Sequence, residues 1–155
     1  MKKTKVAAIL VVAILIVAIA AGVLLATAPK DKEAELYTYQ LTAQGNTYVV
    51  TVYTNATSAP EVRLPEMPPE FPMVDVIFSG SRETIFCNVT VPTDLVGGDI
   101  SVYLKDYKQD ADRYTLYNNG THNSIQIKFE HIAIIQYLSI RGTEGVMPEY
   151  PSPSP

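Results

Sequence analysis

The fold of this chain is decided by a strand-like stretch near its middle, residues 84–91, which read TIFCNVTV. β-Branched and aromatic residues dominate the stretch, and such side chains fit the pleated, half-buried surface of a sheet. Because successive side chains of a strand point to opposite faces, the alternation predicts one buried and one solvated face. The predicted buried face carries Ile85, Cys87, Val89 and Val91, and the predicted solvated face carries Phe86, Asn88 and Thr90. Pro92 lacks a backbone N–H, so we expect the strand to end there.

The residues on the N-terminal side of this stretch predict a hairpin and a further strand. Residues 36–43 and 47–54 alternate in the same way and are rich in Thr, Tyr and Val. Between them lie Gln44, Gly45 and Asn46, and Gly beside Asn is typical of a tight turn between two strands. Residues 74–79 predict one more strand before the central stretch.

The residues on the C-terminal side continue the strand pattern. Residues 100–105 alternate, and residues 113–117 and 124–129 flank a hairpin turn that reads NNGT. Residues 132–140 carry apolar side chains on both faces, which predicts a central strand or one covered on both sides. Strands numbering about eight, with no amphipathic helix among them, predict an all-β domain. We therefore expect an immunoglobulin-like antiparallel β-sandwich over residues 36–145, with its strand order left open.

A proline-rich stretch interrupts the strands at residues 59–73. Proline cannot donate to a sheet ladder, so a central strand is excluded there. We predict either a polyproline-like loop or an irregular crossing between the sheets at an edge; a docking site for a partner's groove is the alternative. The prolines are Pro60, Pro65, Pro68, Pro69 and Pro72.

A continuous apolar run from Val6 to Ala26 precedes the domain. A helix of this length spans about 30 Å, the thickness of a bilayer's hydrocarbon core. We therefore predict a transmembrane signal-anchor in residues 1–29, followed by a charged linker in residues 30–35. The alternative is a signal peptide that is cleaved after Ala28, which would release a secreted domain.

Basic residues set the expected orientation of this anchor. Lys2, Lys3 and Lys5 precede the apolar run, whereas the residues after it are nearly balanced in charge. An excess of lysine on one side keeps that side in the cytoplasm, so we expect the domain outside the cell. Setting these lysines aside leaves nine basic and sixteen acidic residues, a formal charge of −7. Such an acidic domain is not expected to bind nucleic acid.

Three phrases of the second half carry a resemblance to a known family. Together they resemble uncharacterised archaeal cell-surface proteins, in which an immunoglobulin-like sandwich precedes a Pro-Glu-Phe-Pro-type tail. The resemblance covers residues 74–151 and implies a cell-surface location and a sandwich fold, without an activity. The phrases are Phe86-Cys87-Asn88-Val89-Thr90-Val91-Pro92, Tyr117-Asn118-Asn119-Gly120-Thr121-His122, and Gly142-Thr143-Glu144 leading to Pro148-Glu149-Tyr150-Pro151.

The end of the sequence departs from this family. In similar proteins the tail leads into a C-terminal membrane helix, whereas this sequence stops at Pro155. We therefore expect the run from Val6 to Ala26 to be the tether to the bilayer. Residues 146–155 predict an extended Pro/Ser-rich tail that does not pack.

The candidate site residues are three N-glycosylation acceptors. Asn55, Asn88 and Asn119 each begin an Asn-x-Thr sequon, and all three are expected on the surface of an exported domain. Asn119 also has a purely conformational interpretation, because asparagine tolerates the backbone of a hairpin turn.

No catalytic or metal site is predicted. Cys87 is the only cysteine, so it closes no intrachain disulfide, and its apolar face is the opposite of what a nucleophile needs. His122 and His131 have no third ligand near them in the sequence and are expected to be exposed. One predicted loop holds three carboxylates that do not meet the calcium-loop pattern, so a solvated loop is expected. They are Asp106, Asp110 and Asp112.

These observations favour a membrane-anchored extracellular β-sandwich with a binding, adhesion or cell-envelope structural role and no catalysis. Expected partners are the lipid bilayer and envelope proteins or glycans, with exposed tyrosines such as Tyr103 as contacts. The alternative is a pilin-like filament subunit, whose apolar helix packs in a filament core. A mature N-terminus at Val6, Ala7 or Ala8 would favour the pilin, although Lys5 stands where such a protein has Gly or Ala.

Overall fold

The computed structural model describes residues 33–65, 69–80, 83–131 and 134–148. The chain divides into two units, Met1–Lys32 and Glu33–Pro155, and every described residue belongs to the second. The predicted anchor from Val6 to Ala26 lies outside the described residues. Within the described ranges, no helix is long and apolar enough to cross a bilayer.

The described part of the chain is built from β-strands, as the alternation predicts. Each long predicted strand is present, and its bounds differ from the prediction by a few residues at most. The strands are β1 (Glu35–Ala43), β2 (Asn46–Thr54), β3 (Glu61–Arg63), β4 (Met73–Ser79), β5 (Glu83–Pro92), β6 (Val96–Gly97), β7 (Ser101–Leu104), β8 (Tyr107–Lys108), β9 (Tyr114–Asn118), β10 (His122–His131), β11 (Ile135–Arg141) and β12 (Glu144–Gly145).

The strands form two five-stranded antiparallel sheets. Sheet A has the order β1-β2-β5-β10-β9, and sheet B has the order β3-β4-β11-β7-β8. A short ribbon of β12 and β6 lies beside them. The chain passes from sheet A to sheet B after β2 and returns after β4, so the two sheets are interleaved in sequence. The predicted all-β class is confirmed.

The core lies between the two sheets, and β5 runs through the middle of sheet A. Ile85, Cys87, Val89 and Val91 are each fully buried, which confirms the predicted inward face. The predicted solvation of Phe86 is wrong, because this ring is only 3% exposed and lies edge to face against Tyr53. Phe78 of sheet B meets Phe129 of sheet A edge to face, with ring centroids 5.4 Å apart. Burial of apolar surface between the sheets is therefore the main stabilising term.

Both predicted hairpins are present. Gln44 and Gly45 have φ values of 49° and 74°, so the β1–β2 turn has two positive-φ residues in a row. This geometry matches the right-handed twist of the strands and explains the glycine. In the second hairpin Asn119 Oδ1 accepts hydrogen bonds from the backbone N–H groups of Thr121 (3.0 Å) and His122 (2.8 Å).

The proline-rich stretch lies at the edge of sheet B. After the crossing, Glu61–Arg63 forms the short edge strand β3 and pairs with β4. The crossing from sheet A to sheet B lies between β2 and β3, and the proline-rich stretch contains a short edge strand that the sequence did not predict. Residues 66–68 lie outside the described ranges. The strand predicted from residues with apolar side chains on both faces is β11, which lies in the middle of sheet B, as expected.

The first residues of the predicted tail differ from expectation. Val146 packs against the core, and its N–H donates a 3.1 Å hydrogen bond to the carbonyl of Leu95. Gln44 Nε2 donates to the carbonyl of Met147 over 3.2 Å. The chain therefore stays on the domain past residue 145, because an apolar valine follows the glycine there. Residues 149–155 lie outside the described residues.

Candidate functional site

The structure corrects the expectation for Asn55. This residue is only 6% exposed, immediately after β2. Its Oδ1 accepts a 2.7 Å hydrogen bond from the N–H of Phe86, and its Nδ2 donates to the carbonyl of Thr84 over 3.3 Å. The side chain thus extends the ladder between β2 and β5 past the end of β2. The predicted surface position of Asn55 is wrong, because its side-chain amide is buried in hydrogen bonds with the backbone of β5.

The other two sequons lie on the surface to different degrees. Asn88 is half-buried on the outer face of the central strand β5, and its Oδ1 accepts a 2.8 Å hydrogen bond from the hydroxyl of Ser124. Asn119 is exposed at the β9–β10 turn, where the Thr121 hydroxyl also donates to its Oδ1 over 3.1 Å. The three sequons lie at three separate places and form no common site.

The other candidate residues also lie apart. Burial raises the pKa of the Cys87 thiol far above its ordinary value. His131 is fully buried, which contradicts its predicted exposure, whereas His122 is half-buried with Nδ1 2.9 Å from the Thr121 hydroxyl. Among the described residues, no group of three His, Cys, Asp or Glu side chains could hold a metal ion. The predicted solvated loop is exposed at Asp106, Asp110 and Asp112.

Sequence reasoning missed a cluster on the outer face of sheet B. Register aligns Arg63, Asp75, Ser139 and Tyr103 in one row across β3, β4, β11 and β7. Their strand neighbours point into the core, so these four side chains point away from it. With two residues from the adjacent rows they form what we call the Asp75 cluster. It consists of Arg63, Asp75, Tyr103, Tyr137, Ser139 and Arg141.

A buried carboxylate lies at the centre of the Asp75 cluster. Asp75 is only 7% exposed, although it faces away from the core. The Ser139 hydroxyl donates a 2.5 Å hydrogen bond to its Oδ1. Burial raises the pKa of Asp75 above its ordinary 3.8, and Asp106 adds to the rise, whereas the hydrogen bond from Ser139 and the charges of Arg63 and Arg141 oppose it. The surrounding side chains, not the core, therefore exclude water from this carboxylate.

The two arginines of the cluster lie against its two tyrosines. The Cζ atom of Arg141 is 3.9 Å from the centroid of the Tyr103 ring, within the range of a cation–π contact. The Cζ atom of Arg63 is 5.8 Å from the Tyr137 ring centroid, and its Nη2 donates to the Tyr137 hydroxyl over 3.5 Å. Arg63 Nη1 is also 3.9 Å from a carboxylate oxygen of Glu61. Arg63 therefore has an aromatic and a carboxylate neighbour, and Arg141 has an aromatic one.

An exposed apolar strip continues from this cluster along β11. Tyr137 is 38% exposed and Ile135, two residues away on the same face, is 53% exposed. Ile134 precedes the strand and is 83% exposed. The outer face of sheet B therefore combines arginine and tyrosine side chains, which are enriched in the hot spots of protein interfaces, with exposed aliphatic side chains.

The side chains of the Asp75 cluster determine what this surface can contact. A serine nucleophile needs a base that takes its proton, whereas the Ser139 hydroxyl donates to the carboxylate of Asp75, a weak base even though burial raises its pKa above 3.8. A histidine is not part of the cluster. Planar guanidiniums and ring faces instead suit carboxylates, sugars or flat peptide surfaces.

One signal in the sequence could have pointed to this cluster. Asp75 interrupts residues 74–78, which are otherwise apolar, and a charged residue in such a strand needs a partner if it is buried. Comparison of the chain with protein-family models, with curated proteins and with solved structures finds no match. The resemblance to archaeal surface proteins therefore remains a prediction.

Proposed function

We propose that this chain is a membrane-anchored extracellular protein whose immunoglobulin-like β-sandwich binds another component of the cell envelope through the outer face of sheet B. The observation that carries the binding role is the Asp75 cluster, in which Arg63 and Arg141 are fixed beside Tyr137 and Tyr103. Fixed side chains lose little entropy when a partner docks, so such a surface is prepared for recognition.

The membrane-anchored part of the proposal is supported by the N-terminal sequence. The run from Val6 to Ala26 is long enough to span a bilayer as a helix, and three lysines precede it. An acidic domain rich in tyrosine and bearing two surface sequons is typical of an exported protein. The resemblance of residues 74–151 to archaeal surface proteins points to the same compartment.

The orientation of the chain in the membrane is tested in intact cells that express the full chain. The cells are labelled with an amine reagent that cannot cross membranes. Lys108 and Lys128 are exposed on the domain, whereas Lys2, Lys3 and Lys5 precede the apolar run. We expect Lys108 and Lys128 to be modified in intact cells and the N-terminal lysines only after the cells are opened. Modification of the N-terminal lysines alone in intact cells would reverse the proposed orientation.

Binding is tested by cross-linking in the same cells. Arg63→Ala and Tyr137→Ala are compared with the wild type and with Thr115→Ala, which lies on the exposed outer face of sheet A. We expect the two cluster variants to lose at least about tenfold of the cross-linked product, the scale of a hot-spot residue. Equal yields from all variants would exclude the outer face of sheet B as the binding surface. Protease or glycosidase treatment of the product then shows whether the partner is protein or glycan.

A further inference from the structure

The four edge strands of the two sheets are protected very unequally. β3 has three residues and carries Glu61 and Arg63, and β8 has only two and carries Lys108. β9 has five residues, whereas β1 has nine, from Glu35 to Ala43. In natural sheets, short strands, charges, prolines or bulges at an edge prevent the edge strand from pairing with another chain.

β1 has only one of these features, a single charge at its first residue. Its sequence ELYTYQLTA contains one charge, at Glu35, and no lysine or proline. It pairs with β2 through nine consecutive residues without a bulge, from Glu35 opposite Thr54 to Ala43 opposite Asn46. Every second residue of such a strand directs its N–H and C=O away from the partner strand. In the described part of the chain, β1 pairs with β2 alone.

We propose that β1 pairs with β1 of a second copy of this chain, antiparallel and about a two-fold axis, to join the two A sheets into one. The inference does not depend on the binding role of sheet B. A second copy fits because the strand is self-complementary: with the axis at Tyr39, Thr38 lies opposite Gln40 and Leu36 opposite Thr42. The only charge, Glu35, then lies opposite Ala43 and far from its own copy, so like charges are not opposed.

The side chains at this edge favour such an extension. Leu36, Thr38, Gln40 and Thr42 are exposed on the outer face, and Leu36 is 61% exposed. On the other face, Leu41 and Ala43 are buried, so this strand is already held in register by the core. The edge is therefore a rigid template, and pairing orders little additional backbone.

The pairing is tested by cross-linking introduced cysteines of the full chain in mild detergent with a bifunctional thiol reagent that reaches about 8 Å. In the proposed register Thr38 and Gln40 each lie diagonally from their own copy, about 7–8 Å away, which such a reagent spans and a direct disulfide does not. Leu36, Thr38, Gln40 and Thr42 are replaced singly by cysteine; the native Cys87 is fully buried and serves as the internal control. Thr115→Cys on the opposite edge strand of sheet A is the matched control. We expect reagent-linked dimers at Thr38→Cys and Gln40→Cys, and little product at Leu36→Cys and Thr42→Cys, whose copies lie six residues apart along the strands. Equal cross-linking at all four positions would indicate parallel pairing and overturn the proposal, as would none.

A charge variant gives an independent measurement. Thr38→Lys brings two like charges together near the axis, so we expect its dimer dissociation constant, measured by sedimentation, to rise by about tenfold or more. Thr115→Lys should leave the wild-type dimer intact. The C-terminal tail is the other segment that could cover the edge of β1, and removal of residues 149–155 tests this. A dimer that forms only in the shortened chain would show that the tail covers β1, and the proposal would be wrong.

Discussion

The hydroxyl of Ser139 in β11 donates a 2.5 Å hydrogen bond to Oδ1 of Asp75 in the neighbouring strand β4. The two residues are directly opposite in the register of sheet B, on the face that points away from the core. Asp75 is nevertheless 7% exposed and Ser139 9% exposed, because larger side chains of the same face cover them. A surface that buries a carboxylate in this way should respond to pH.

The first prediction concerns Asp75→Asn. Because the pKa of Asp75 is raised above 3.8 in the folded state, the folded protein binds this proton more tightly than the unfolded chain. The stability from protonated Asp75 is therefore complete below pH 3.8 and is lost as pH rises through the raised folded pKa. We expect this loss in the wild type and not in Asp75→Asn, as measured by urea unfolding at a series of pH values.

Two variants control this measurement. Asp94→Asn changes an exposed carboxylate and should keep the wild-type pH dependence. Ser139→Ala removes a hydrogen bond that lowers the pKa of Asp75, so the loss should move to higher pH. If Asp75→Asn follows the wild-type profile throughout, Asp75 is not the titrating group.

The Asp75 cluster also shows where sequence reasoning stops. The alternation along residues 84–91 places Ile85 and Cys87 in the core without any knowledge of their neighbours, because the period of a strand is local. The meeting of Asp75 with Ser139 depends instead on the register between strands that are 64 residues apart in the chain. Register follows from the packing of both sheets, which the sequence pattern does not contain.

Asn55 illustrates the same limit at a strand end. Its position after β2 looks like a solvated turn, and the sequence does not reveal that β5 continues past it. The N–H of Phe86 has no backbone acceptor on β2 and donates instead to the side-chain oxygen Oδ1 of Asn55. A residue at the end of β2 is thus buried because the two strands are offset: Thr54 lies opposite Cys87, and β5 extends beyond that pair to Glu83.

The second prediction concerns Asn55→Ala. The substitution leaves the buried N–H of Phe86 without its acceptor, and such a loss costs about 1–3 kcal/mol. We expect the free energy of unfolding in urea to fall by that amount. Asn46→Ala, at an exposed position, should change it by less than about 0.5 kcal/mol. Equal effects of the two variants would show that the Asn55 hydrogen bonds contribute no net stability.

The third prediction concerns glycosylation in an exporting host. A transferase must reach the asparagine amide, and Asn119 is exposed at a turn whereas Asn55 is 6% exposed. We expect Asn119→Gln to lower the mass of the mature protein by one glycan and Asn55→Gln to leave it unchanged. Asn88 is half-buried in a central strand, so its occupancy should be lower than that of Asn119. A glycan on Asn55 would show modification before folding.

The fourth prediction concerns the single thiol. Cys87 is fully buried, and burial raises its pKa, so little thiolate forms at neutral pH. We expect no reaction with a thiol reagent in native buffer and rapid reaction in urea, followed by absorbance. Thr115→Cys, at an exposed position, supplies the fast native-state control. Fast native labelling of the wild-type protein would contradict the buried position of β5.

The fifth prediction separates two ways in which glycine is required. Gly120 has a φ of +91° with no atom within 4 Å of an added Cβ, so Gly120→Ala costs backbone strain alone, about 1–2 kcal/mol. Gly142 has no positive φ, but an added Cβ would overlap the carbonyl oxygen of Gly97 and lie 2.9 Å from its nitrogen. Backbone atoms cannot move aside as a side chain can, so Gly142→Ala must separate the chain around β12 from β6.

These two alanine variants are therefore compared in one urea-unfolding experiment. We expect Gly142→Ala to lower the free energy of unfolding more than Gly120→Ala, by about 1 kcal/mol, because the overlap with the Gly97 backbone forces the main chain to shift. The carbonyl of Pro72 accepts a 3.0 Å hydrogen bond from the Gly142 N–H, so the shift should also loosen the start of β4. Faster hydrogen exchange at β4 in Gly142→Ala and not in Gly120→Ala would locate the damage. The opposite order of stability would show that the β6–β12 ribbon yields easily.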